Sequence, residues 1–203
     1  SGRTYIIYGS ASPINIDLLS MNSTQGIVIS GEATADYSGY AVSSGDIDND
    51  GYLDVIIGAY GANPNSRTDS GRTYVIYGGK PFIEQESPSI PTVSPTSRPT
   101  NPTLQPTLKP VAQDKYISSS IDLLGLTIED GVVIAGENIG DYSGYSTASG
   151  DINGDGYADI IIGAYKATAN SRTNSGKIYV VYGGASPINT NLLGIDATKG
   201  III

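Results

Sequence analysis

With 203 residues, of which 39% are hydrophobic and 15% charged, the chain is long enough to bury the core of one or two domains. It has no histidine and no cysteine, which excludes Ser-His-Asp and Cys-His triads, the usual zinc and iron–sulfur sites, and any disulfide framework. A net charge of −9, with 11 scattered basic residues, argues against nucleic acid as a partner, because phosphate binding needs clustered Lys and Arg.

The strand signals are short and evenly spaced along the chain. SGRTYIIYG opens the sequence, and IDLL follows at Ile16 to Leu19. Strands are then predicted near 26–32 (GIVISGE), 40–46 (YAVSSGD), 54–60 (DVIIGAY) and 72–78 (RTYVIYG), each bounded by Gly, Asn, Asp or Ser. Apolar runs of four or five residues leave no stretch fit for a membrane span or a signal-peptide core. The 26 glycines and 15 tyrosines suit tight turns between strands packed partly on tyrosine rings.

An internal repeat sets the organisation. Residues 26–79 align without a gap on residues 131–184, with 35 of 54 positions identical and an offset of 105. IDLL recurs at Ile121 to Leu124 with that same offset, and SGRTYIIYG returns at Ser70 and, as SGKIYVVYG, at Ser175. Between the copies lies a Pro/Ser/Thr-rich stretch with prolines at 88, 91, 95, 99, 102, 106 and 110. Proline at that density forbids helix and sheet ladder, so an extended connector is expected, able to reach on the order of 100 Å at ~3.1 Å per residue. The resulting division is 1–79, a first repeat that begins mid-repeat; 80–115, the linker; and 116–203, a second repeat with the start of the next. Because the last 29 residues match the first 29 closely, the chain is expected to be a window on a longer tandem array.

Four strands per repeat make a small antiparallel sheet. Ile and Val runs suited to burial on both faces require such sheets to stack as propeller blades do. The fold class is therefore all-β, with four-stranded antiparallel propeller-type blades in an incomplete ring.

GDIDNDGYLD at Gly45 to Asp54 and GDINGDGYAD at Gly150 to Asp159 carry the candidate chemistry. Asp46, Asp48 and Asp50 alternate with other residues, so a tightly curled loop turns three side chains toward one point while Gly51 permits the reversal. Asp54 and the carbonyl of Tyr52 complete the expected oxygen cage. In the second copy the set is Asp151, Asn153, Asp155, the Tyr157 carbonyl and Asp159. Carboxylates this close repel one another without a cation, and an irregular cage of hard oxygens suits Ca²⁺ better than Mg²⁺, giving two expected calcium sites. An EF-hand is excluded, because its twelfth position, a bidentate Glu there, is Ile57 or Ile162 here.

The succession of a strand, DxDxDGxxD or DxNxDGxxD, IIGAY and SGRTYVIYG resembles the FG-GAP repeat of integrin α-subunit β-propellers and related extracellular proteins. YSGY at Tyr37 to Tyr40 and at Tyr142 to Tyr145 stands where that family has Phe-Gly, and two repeats cannot close a propeller ring. The resemblance implies calcium in the loop joining the first two strands of a blade, as a stabiliser and not a catalyst.

The expected function is that of a structural or adhesive extracellular calcium-binding repeat protein, assembling head-to-tail with copies of itself into a fibre or array. The alternative is a module that binds carbohydrate or protein, with Tyr37, Tyr40, Tyr60, Tyr142, Tyr145 and Tyr165 stacking on the ligand; their regular recurrence favours packing instead. An enzyme is not expected, since the conspicuous carboxylates are engaged by metal. Asn22-Ser23-Thr24 is a candidate N-glycosylation sequon, and Thr92, Thr96, Thr100, Thr103 and Thr107 are candidate O-glycosylation sites of a sugar-coated linker. Arg67 and Arg172, in the two NSRT loops, are expected to be solvated or to hold a nearby carboxylate.

Overall fold

The computed structural model describes residues 1–11, 15–79, 120–185, 188 and 191–203. Among these, eleven strands form three sheets: β1 (Arg3–Ile7), β2 (Gly26–Ser30), β3 (Ala41–Gly45), β4 (Asp54–Ala59), β5 (Arg72–Ile76), β6 (Ser120–Asp122), β7 (Gly131–Ala135), β8 (Ser143–Gly150), β9 (Asp159–Ala164), β10 (Lys177–Val181) and β11 (Gly200–Ile202). The protein is all-β, and its strands fall where Ile- and Val-rich runs lie between turn residues. The sheets run β1-β2-β6, β3-β4-β5-β7 and β11-β10-β9-β8, and do not close into a barrel.

Each sheet takes a strand from a neighbouring copy of the repeat, which differs from the expectation that the four strands of one repeat pair among themselves. β7 of the second repeat closes the first repeat's sheet by pairing antiparallel with β5, from Arg72 opposite Ala135 to Ile76 opposite Gly131. β11 plays that part for β10, and β2 belongs with β1. GIVIS, GVVIA and GIII are near-equivalent strands, so hydrophobic pattern alone fits each of them to any blade. The IDLL segment adds a parallel pairing, β6 beside β2. In it Asp122 accepts the Leu124 N–H at 3.1 Å and caps a 3₁₀ turn, as Asn191 does for Leu193 in the following copy.

Two cores flank the central sheet. Strand alternation sends Ile56, Val75, Val132 and Ile134 to one face, against Ile160, Ile162 and Tyr179 of the last sheet. Ile57, Tyr74 and Ile76 go to the other, against Ile27, Ile29, Ile121 and Leu123. A sheet sandwiched in this way explains the runs of consecutive Ile and Val in β4 and β5, where a solvated face would demand polar residues at every second position.

Candidate metal loops and the contacts between repeats

The first acidic loop joins β3 to β4, the first two strands of a blade, and the second joins β8 to β9. Each is curled by its own side chains. Asp46 accepts the N–H groups of Asp50 at 3.0 Å and Gly51 at 3.1 Å, Asp48 accepts Asp50 N–H at 3.2 Å, and Asp50 accepts Tyr52 N–H at 2.9 Å. The second loop repeats the pattern with Asp151, Asn153, Asp155 and Tyr157. Left-handed backbone is needed twice in each turn, at Asn49 and Gly51 and again at Gly154 and Gly156, residue types that take it at least cost.

This curling brings one carboxylate oxygen from each of Asp46, Asp48 and Asp50 within 4.8 Å of one another. Oxygens around a calcium ion at about 2.4 Å are at most about 4.8 Å apart, so the three fit one hard cation, and each carboxylate keeps lone pairs beyond those given to backbone N–H groups. Asn153 replaces the middle carboxylate in the second loop. Its side-chain N–H donates to Asp155 at 2.8 Å, and its oxygen is the atom able to face a cation.

Asp54 lies outside that cluster. It is fully buried at the start of β4, where its two oxygens accept Ile47 N–H and Gly78 N–H, both at 2.8 Å. Burial pushes its carboxyl above the usual range; the two N–H groups pull it down, and the charges of Asp48 and Asp50 push it up again. A cation in the loop would favour the ionised form. Asp159 holds the same place in the second repeat, accepting Ile152 N–H at 2.8 Å, Asn153 N–H at 3.2 Å and Gly183 N–H at 3.0 Å. The ninth position of each loop thus pins the loop to the strand end behind it, a role that the buried start of an Ile-rich strand could have signalled.

The first loop is also a contact between repeats. Asp46 and Ile47 present their carbonyls to Ala158 N–H and Gly184 N–H of the second repeat, each at 3.0 Å. Arg67 likewise reaches across, donating to the Gly136 carbonyl at 2.8 Å and Asn191 Oδ1 at 3.4 Å; it holds carbonyl oxygens, where solvent or a nearby carboxylate is expected from the sequence. Arg172, one repeat later, is exposed.

The six tyrosines singled out by their recurrence meet one another across the two repeats, with ring centroids 4.4 to 5.8 Å apart. Asn22 is exposed and its side-chain oxygen accepts Thr24 N–H at 3.0 Å and Thr24 hydroxyl at 2.7 Å. Thr92, Thr96, Thr100, Thr103 and Thr107 lie outside the described residues, as does the whole 80–115 linker. Among the described residues no helix is long and apolar enough to cross a membrane.

The FG-GAP repeat family matches this chain twice, at residues 38–76 and 143–181. A stretch of 59 residues is 39% identical to integrin alpha-PS3 of Drosophila melanogaster, covering 29% of this chain and 5% of that integrin's length. Each family match begins in the tyrosine turn, encloses the acidic loop and ends on the third strand of a blade, so the chain carries two integrin-like FG-GAP repeats.

Proposed function

We propose that this is a non-catalytic, extracellular structural or adhesive module whose repeats each bind one calcium ion and which joins further copies of itself head-to-tail. The calcium reading rests on the Asp46–Asp48–Asp50 cluster and on its curled copy around Asp151 and Asp155. In the first repeat, a cation there would stiffen a loop whose backbone already docks on the next blade. Free calcium is plentiful outside cells, which suits sites of structural use. A glycan on Asn22 and on the linker threonines belongs to the same reading.

The observation that carries the assembly is a difference between equivalent residues. Ile47 is 1% exposed because the second repeat covers it, whereas Ile152, its counterpart 105 residues later, is 53% exposed. The covering surface of the second repeat includes Ala158 and Gly184, and the first repeat bears its counterpart at Leu53, itself 66% exposed. One copy therefore offers an apolar face at Ile152 and another at Leu53, related as the two halves of the contact already present inside the chain. A contact between unlike faces that does not close propagates as a filament.

Sedimentation and electron microscopy of the chain in millimolar calcium or in EGTA test both parts. Calcium-dependent oligomers that I152D disperses, with calcium still raising the melting temperature of that variant, are the expected result. Monomers under all conditions overturn the assembly, and a melting temperature indifferent to calcium overturns the metal sites.

A further inference from the structure

The tyrosine turns place phenol rings from both repeats in one continuous array. Tyr37 and Tyr142 hold left-handed backbone, with φ of 54° and 56°, followed two residues later by Gly39 and Gly144, both at φ 84°. This twice-reversed turn projects Tyr40 and Tyr145 toward each other. Their ring centroids are 4.9 Å apart and tilted by 41°, and their hydroxyl oxygens share a hydrogen bond of 3.0 Å. Among the described tyrosines this pair combines ring contact with a hydroxyl-to-hydroxyl bond.

We propose that Tyr40 and Tyr145 are an oxidative cross-linking site, at which hydrogen peroxide and a haem peroxidase join the two rings as dityrosine and tie the first repeat covalently to the second. Each phenol gives up one electron and its hydroxyl proton to become a phenoxyl radical. The radicals couple through the ring carbons next to the oxygens, forming one carbon–carbon bond. The hydrogens on those two carbons then move to the oxygens and restore both hydroxyls. The two electrons and two protons reduce one hydrogen peroxide, whose O–O bond breaks, to two waters.

Three features favour this pair. The product is a biphenol with its oxygens on adjoining ring positions, within hydrogen-bond reach of each other, and the 3.0 Å contact already holds the reactants that way. Tyr40 is 54% exposed, so a peroxidase can oxidise it from solution. Tyr145 is shielded on its other sides by Tyr60 at 5.4 Å and Tyr165 at 4.4 Å, which keeps its radical from meeting a second molecule. The exposed rings of Tyr37 and Tyr165 extend the target, because an electron vacancy formed on Tyr165 can pass by ring contact to Tyr145, and one formed on Tyr37 can pass by way of Tyr60.

The consequence is mechanical. A bond between residues 40 and 145 fastens the blades to each other whatever the linker does, and a cross-link over so long a loop strongly limits the unfolded chain. A protein without cysteine gains a covalent staple by other chemistry.

The test treats the dilute 203-residue chain with hydrogen peroxide and a plant haem peroxidase. The expected product is a monomer lighter by two hydrogens, with blue dityrosine fluorescence and a digest containing one peptide pair joined at Tyr40 and Tyr145. Y40F and Y145F keep the rings and the strand circular dichroism but lose the product, while Y8F, which alters an exposed tyrosine outside the array and outside the acidic loops, retains it. No cross-link, a cross-link that survives in Y40F, or only covalent oligomers each overturn the proposal.

Discussion

Tyr74 donates its hydroxyl to Glu32 at 2.8 Å, joining the fully buried ring of a central-sheet strand to a carboxylate two residues beyond β2 of the neighbouring sheet. The same carboxylate takes the Arg72 guanidinium. Glu137 repeats the arrangement with Lys177 at 2.7 Å and with Tyr179. These triads are polar clasps between adjacent blades, and the two partners of each carboxylate are unequal in what they lose. Y74F removes one hydrogen bond to a charged group and is expected to cost about 1.5 kcal/mol. E32A leaves a buried hydroxyl and a guanidinium unpaired and is expected to cost about 3 kcal/mol. Urea unfolding of the two variants and the wild type checks the order.

The clasps make the fold acid-sensitive. Burial pushes the Glu32 carboxyl up, but hydrogen bonds from Arg72 and Tyr74, with the Arg72 charge, hold it below its ordinary value, and Lys177 and Tyr179 do the same for Glu137. A carboxyl lowered in the folded state contributes stability that is present above its unfolded value and lost as pH falls through the folded one. Asp36 and Asp141 act in the opposite sense, since burial raises both. Their contribution is present at low pH and is lost as pH rises through their raised values. Melting temperature is expected to fall below about pH 4.3, the ordinary glutamate value. The combined E32Q and E137Q variant should be less stable at neutrality and flatter through that acid window. An equally steep acid loss in the double variant would contradict the assignment.

The proposed metal cluster and the loop anchor fall on different carboxylates. Asp54 spends its oxygens on Ile47 and Gly78 N–H groups, so D54N turns an amide N–H toward one of two donors. It is expected to lose about 2 kcal/mol even in EGTA. D48N removes a charge from the carboxylate cluster, and the Asp50 N–H that Asp48 accepts at 3.2 Å is a bond that the amide oxygen can still accept. Its melting temperature in EGTA should match the wild type, while its rise with calcium should shrink. Paired melts with and without calcium distinguish the two.

Much of this was legible in the residues themselves. Strand positions follow from β-branched runs between turn formers, and the acidic loops from alternating Asp at the foot of a strand. The pairing of strands was not legible. Gly26–Ser30 and Gly131–Ala135 have the same pattern, and nothing local tells that the second completes the blade of Arg72–Ile76 while the first lies beside Arg3–Ile7. The tyrosines were visible as a recurrence that favours packing, and they do pack on one another across the repeats. The outward face of Tyr40 was hidden, because tyrosine suits a core and a wet surface alike. Ile47 and Ile152 make the same point, since identical residues in copied loops differ in burial only through what lies next to them.

Gly71 ties the repeats together where backbone meets backbone. It bridges to Ser143, its φ is +84°, and an added Cβ would lie 1.9 Å from the Ser143 carbonyl oxygen. Its neighbour Ser70 accepts the Ser143 N–H at 3.0 Å, and Gly71 itself accepts the Gly136 N–H at 2.8 Å, so the backbone cannot retreat without breaking contacts to the second repeat. Gly140 offers the matching control, with φ +74° and open space around its Cβ position. G140A carries only left-handed strain, about 1 kcal/mol. G71A carries that strain and a collision with main chain, for an expected total of more than about 3 kcal/mol, and should part the two blades before either unfolds alone. Hydrogen exchange would show this as early loss of protection at Gly136 and Ser143 while the β9–β10 amides stay protected; equal stability of G71A and G140A would mean that the blades are not held together at this bridge.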